Sequence, residues 1–239
     1  MITMKADEKR TMPVQKKNKM ERRTQRRIAN EPPRRSVLEE VGNSVTHGVG
    51  ALLSIGGMIL LLVASKSGVQ LAAAIIYGIC LIVLFTMSCL YHAFRWGSTV
   101  KRVFRRFDYS SIYLLIGGSF APIFLLYLDQ PLGWILFALQ WGIIVVGVTL
   151  ISVFGPAVGK KLHTTMYFVL GWSALAFLPK MYSQDKGFLV WTLLGGVAYT
   201  LGAIPFARKT RGSHFIWHLF VMLGAMLQFV GNYLYLYRI

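Results

Sequence analysis

The chain has 239 residues, 55% of them hydrophobic, and a mean hydropathy of +0.53. Soluble domains are roughly 45–50% apolar, so the excess points to a membrane protein and away from a large soluble core. Lys and Arg total 26 against 9 Asp plus Glu, giving a net charge of +17, and these basic residues cluster between apolar runs. The two cysteines, Cys80 and Cys89, lie in one apolar run. Nine residues apart on a helix is roughly 13 Å, too far for a disulfide, so cysteine carries no sign of an oxidising compartment.

The first 35 residues are polar and basic and lack an apolar h-region, so no cleavable signal peptide is expected. Within them, KKNKMERRTQRR has the composition of a disordered topogenic segment that touches anionic lipid headgroups. It has no aromatic side chains on which bases could stack, and it precedes a membrane domain, so no nucleic-acid partner is expected. Residues 1–36 are therefore set apart as a basic, disordered cytosolic tail, and 37–239 as the membrane domain.

Apolar runs follow over Ser44–Ser65, Gln70–Phe94, Asp108–Leu128, Leu132–Phe154, His163–Pro179, Gly187–Phe206 and Ser213–Tyr237. Each is long enough, or nearly so, to cross a hydrocarbon core of about 30 Å as a helix. The fifth is the shortest, and its end near Pro179 is poorly marked. Strand-period alternation is absent, which argues against a β-barrel. The expectation is an all-α integral membrane protein, a bundle of seven transmembrane helices joined by short loops.

The basic residues orient it. Residues 1–43 carry 12 Lys/Arg, 95–107 carry 5, 155–162 carry 2 and 207–212 carry 3, which makes 22 on one side. The other side has only Lys66, Lys180, Lys186 and Arg238. By the positive-inside rule the N-terminus is cytosolic and the C-terminus external, in a multi-pass protein of the cell membrane. Trp96, Trp134, Tyr182, Tyr233 and Tyr237 read as interfacial anchors, and Pro122 and Pro205 as points where helices bend or end.

Polar groups then stand out by depth. Glu40, Asn43 and His47 lead into the first helix on one stripe at about 100° per residue. Ser88 and His92 lie one turn apart at the cytosolic end of the second, Asp108 opens the third, and His214 and His218 open the seventh. All belong to the cytosolic half of the membrane, where ionisable groups are costly and mark function. Zinc takes neutral imidazole nitrogens, and a helical i, i+4 pair plus a third histidine leaves a position for water. A carboxylate nearby can hold that water or take its proton. The alternative is a hydrogen-bonded polar cluster that packs helices together. His163, after GKKL, reads as an interface-exposed histidine, and Cys89 as a buried, inert thiol.

EVGNSVTH fits ExxNxxxH, SCLYH fits SxxxH followed by Asp108, and HFIWH fits HxxxH. In this order, these motifs resemble the hemolysin III family, the bacterial branch of the progestin and adipoQ receptor (PAQR) superfamily, over about residues 37–239. The resemblance implies a seven-helix fold with its N-terminus inside and a zinc ion held by His92, His214 and His218. It places Asp108 beside the metal to hold or deprotonate water, with Ser88 as a polarising hydrogen-bond donor. Glu40, Asn43 and His47 are supporting residues of the first motif, with His47 expected to hydrogen-bond Glu40 or Asn43. Three functions follow from this: a zinc-dependent hydrolase of a lipid amide or ester, a non-enzymatic regulator or sensor of membrane state braced by zinc, and a cytolytic pore. Membrane lipids are the expected partners and, for the hydrolase, the substrates. The pore is disfavoured, because the polar groups gather at one end instead of lining a path.

Overall fold

A computed structural model describes residues 14–208 and 210–238 of the chain. Among them every regular element is helical and no strand occurs. In chain order these are α1 (Val14–Ala29), α2 (Val37–Ala64), α3 (Gly68–Ala93), α4 (Thr99–Pro122), α5 (Leu132–Phe154), α6 (Lys160–Gly171), α7 (Leu178–Gln184), α8 (Lys186–Ala207) and α9 (Ser213–Asn232). One π-helical turn extends α4 through Ile123–Tyr127 and another extends α9 through Tyr233–Tyr237, while a 3-10 turn over Ser173–Phe177 joins α6 to α7.

Six of these helices are long and apolar enough to cross a membrane: α2, α3, α4 with its π-turn, α5, α8, and α9 with its π-turn. Their outward faces carry bare aliphatic side chains, with Leu52 71% exposed, Val63 82% and Val145 59%. An apolar surface of that extent suits hydrocarbon and not water. Serine caps start three of them: Ser36, Ser67 and Ser98 each accept a backbone N–H from the residue three positions on. Inside the bundle, α3 packs between α2 and α4, and α8 lies along α9. Its core runs through Tyr77, Leu84 and Phe85 of α3, Phe120 and Phe124 at the end of α4, and Val221 and Ala225 of α9. Small residues permit the close approaches. A side chain at Gly118 of α4 would meet Cys80 Cβ of α3 at 2.4 Å. Both cysteines are free, Cys80 buried there and Cys89 half-buried with its Sγ 3.4 Å from the Ser44 hydroxyl.

The fifth apolar run is not one helix. Its 12-residue α6 stops at Gly171, the 3-10 turn follows, and Pro179 lies in the first turn of α7, where it has no N–H to leave unpaired. No stretch of it is a continuous helix of membrane-crossing length. It nonetheless follows α4 from one level to another: the Tyr113 hydroxyl lies 2.8 Å from His163 Nδ1, and Lys180 Nζ pairs with Asp129 at 2.6 Å. Those levels are about 24 Å apart along a helix.

Other expectations need correcting. Asp108 does not open its helix; α4 begins nine residues earlier, because the basic stretch 99–107 is helical as well. His163 is buried, 4% exposed, and bonded to Tyr113 instead of facing an interface. Tyr237 is fully buried and donates to the Gln70 carbonyl at 3.1 Å, so it is a core residue. Val14–Ala29 is helical where composition suggests disorder, and residues 1–13 of that tail lie outside the described residues. Asn30 ties the end of α1 to the bundle, donating to the Phe154 carbonyl at 3.1 Å and accepting from the Ala157 N–H at 3.0 Å.

Candidate metal centre

His92 sits in the last turn of α3, and His214 and His218 occupy the first turns of α9, which starts from Gly212 in the left-handed region (φ +73°). The two helix ends meet. His214 Nε2 lies 3.3 Å from His92 Nε2 and 3.3 Å from His218 Nε2, and one ligand atom from each residue falls within 4.8 Å of the others. His92 and His218 are buried, and His214 is partly so.

The opposite ring nitrogens of His92 and His218 are occupied. His92 Nδ1 hydrogen-bonds the Glu40 carboxylate, with the Asn43 side-chain amide 3.4 Å from the same nitrogen. His218 Nδ1 donates to the Asn43 carbonyl at 3.2 Å. A proton held on Nδ1 leaves a lone pair on Nε2. Lone pairs 3.3 Å apart repel unless something electropositive lies between them. Zn–N bonds of about 2.0–2.1 Å in tetrahedral array place neighbouring nitrogens roughly 3.3–3.4 Å apart, so the donor set fits such an ion in type and in spacing. These three residues can hold a metal ion.

The neighbours complete the cluster. Glu40, in the first turn of α2, also forms an ion pair with Lys101 Nζ at 3.0 Å. His47 joins by stacking its ring on His218, with centroids 3.7 Å apart, and not through a hydrogen bond to Glu40 or Asn43. Ser88 is buried one turn before His92, and it lines one cavity together with Asp108. Glu40, Asn43 and His47 thus lie against the three histidines, and Ser88 and Asp108 line the cavity beside them. Lys101 belongs to the cluster too and was not singled out, because a lysine inside a basic loop reads as topogenic charge.

An apolar cavity leads away from the cluster. Asp108, Ser88, His214 and His218 form one end, and its walls are Ile112, Leu115 and Ile116 of α4, Tyr167 and Phe168 of α6, Tyr199 and Ala203 of α8, and Trp217 and Val221 of α9. It continues to Ser119 and Gln228, the latter ten residues beyond His218, or about 15 Å along α9. His163 and Lys160 also line it.

Comparison with known proteins finds relatives over most of the chain. The model of the family described as Haemolysin-III related matches residues 35–229. Hemolysin-3 of Bacillus cereus is 37% identical over 198 residues, covering 81% of this chain and 90% of that protein. Monocyte to macrophage differentiation factor of Homo sapiens is 30% identical over 210 residues, covering 84% and 85% respectively. The adiponectin receptor protein of Drosophila melanogaster is 26% identical over 219 residues, which are 80% of this chain and 49% of that protein. With a matching model over most of its length and these relatives, the chain is a multi-pass membrane protein of the hemolysin III family, within the PAQR superfamily.

Proposed function

We propose that the protein is a zinc-dependent hydrolase of an amide or ester bond in a membrane lipid. The observation that carries this reading is the convergence of three imidazole Nε2 atoms with Asp108 and Ser88 at the polar end of an apolar cavity. When bound, zinc would supply a Lewis acid and water of lowered pKa. His92, His214 and His218 would hold it. Asp108 would accept a proton from the attacking water, and Ser88, on the same cavity wall, would supply a polarising hydrogen-bond donor. The walls from Ile112 to Val221 would receive an acyl chain and exclude bulk water from the reacting carbonyl.

The same reading has seven crossings, a cytosolic N-terminus and an external C-terminus. Two observations support it. The broken α6–α7 segment follows α4 from Tyr113 to Asp129, and Lys and Arg divide 22 to 4 between the two ends. In this orientation the histidines lie near the cytosolic face.

Zinc content and lipid cleavage, measured on the same purified preparations of wild type and Asp108→Asn, test the proposal. Wild type is expected to carry one zinc per chain and to cleave at least one lipid in a broad panel. Asp108→Asn, isosteric but uncharged, is expected to keep its zinc and to lose turnover by about 10²-fold or more, the scale of general-base loss. Full turnover in Asp108→Asn removes that residue from the mechanism. No turnover by zinc-loaded wild type across the panel favours the second reading, a regulator of membrane state with a structural metal.

A further inference from the structure

Lys101 is 0% exposed, the most deeply buried charged side chain among the described residues. Burying an ammonium is costly unless it is fully paired, and Lys101 is paired in an unusual way. From the first turn of α4, Nζ donates to the carbonyls of Tyr91 and Phe94 at 3.0 Å each and lies 3.5 Å from that of His92. These are the free carbonyls at the C-terminus of α3, where a cation is favoured by the helix dipole. The same ammonium forms the 3.0 Å ion pair with Glu40 Oε1, whose other oxygen meets His92 Nδ1, and it sits 4.8 Å from the Tyr91 ring centroid.

One cation therefore grips His92 from two sides. It fixes the backbone of the turn that carries His92, and through Glu40 it fixes the imidazole. It also does so from α4, the helix that bears Asp108 two turns further along on the same face.

We propose that Lys101 is a positioning residue for the metal centre. It holds Glu40 so that the carboxylate accepts a hydrogen bond from His92 Nδ1–H, which keeps Nε2 unprotonated and aimed at the ion, in register with Asp108. Carboxylate partners of metal-binding histidines set tautomer and orientation, and their loss costs about 10–100-fold in affinity. Lys101 extends that chain by one link. The inference rests on the three histidines holding a metal and is independent of whether lipid is cleaved.

The test is equilibrium zinc affinity, by chelator competition on the purified full-length chain, together with the visible spectrum of the cobalt-loaded protein. Wild type, Lys101→Gln, Glu40→Gln and the Glu40→Gln/Lys101→Met double variant are compared. Lys101→Gln keeps a donor for the α3 carbonyls but loses the charge, and is expected to weaken zinc by about 10–100-fold and to shift the cobalt bands. Glu40→Gln should do the same, and the double variant should weaken zinc by less than the product of the two single effects, since both residues act on His92 through a shared link. Wild-type affinity and spectrum in Lys101→Gln, with only a lower melting temperature of the metal-free protein, would make Lys101 a simple helix cap and overturn the proposal. The double variant leaves no buried charge unpaired and guards against a misfolded single variant; wild-type affinity there overturns the proposal equally. Absence of zinc binding by the wild type would instead remove the metal reading on which the inference stands.

Discussion

At the scale of single residues, two of the three histidines, His92 and His218, have Nδ1 tied and Nε2 turned to the shared centre. Asn43 serves two of them, with its side chain beside His92 and its carbonyl holding His218. The free nitrogens of His92, His214 and His218 are expected to supply all of the protein's ligands. Changing all three to Ala should abolish stoichiometric zinc in purified protein, while His163→Ala should leave it intact, because that ring is committed to Tyr113. Elemental analysis settles both, and zinc retained by the triple variant would refute the ligand set. The residues of this cluster were legible in the sequence because histidine, aspartate and glutamate are rare in apolar runs and therefore conspicuous. Lys101 was not, since its neighbours Arg102, Arg105 and Arg106 gave it company, and nothing in a sequence distinguishes the one cation of a basic cluster that turns inward.

At the scale of elements, the long helices are legible because hydropathy averages well over 20 or more residues. The fifth segment fails that average: it is assembled from a 12-residue helix, a 3-10 turn and a 7-residue helix, and Gly171 and Pro179 mark joints whose consequence depends on tertiary packing. The start of α4 was misplaced for the opposite reason, since its first nine residues include Lys101, Arg102, Arg105 and Arg106 and are helical despite their charge. A turn invisible to hydropathy sets the packing where α4 meets α5. There, a Cβ on Gly133 would come within 1.9 Å of the Phe124 carbonyl oxygen, a backbone atom in the π-turn that cannot swing aside. Gly133→Ala is expected to destabilise by about 1–3 kcal/mol as an overpacked site. Gly142→Ala in the same helix meets nothing within 4 Å and should be neutral or mildly stabilising through helix propensity. Thermal unfolding of the two in one detergent checks this; equal midpoints would show that the α4–α5 contact relaxes freely.

For the whole molecule, the decisive quantity is parity. Seven crossings place the termini on opposite sides of the membrane and six place them on the same side, so the broken segment alone decides the topology. Reporter fusions are expected to find the N-terminus cytosolic, in keeping with the 12 Lys and Arg of residues 1–43, and the C-terminus external. A C-terminal reporter active only in the cytosol would remove the fifth crossing and leave six.

The cavity has a consequence for the direction of the proposed reaction. Its histidine end lies one or two helical turns from the basic rim of the bundle, and its far end, beyond the apolar walls, lies about 15 Å deeper. A lipid cleaved at the histidines would yield two fragments with opposite solvent preferences. The polar one is released where water is nearest, and the chain-bearing one remains in hydrocarbon at about 0.8 kcal/mol per buried methylene. The two products would then part into separate phases, so that they seldom meet again and the bond seldom re-forms. Separation of this kind would make a hydrolase effectively one-way without any further input of energy.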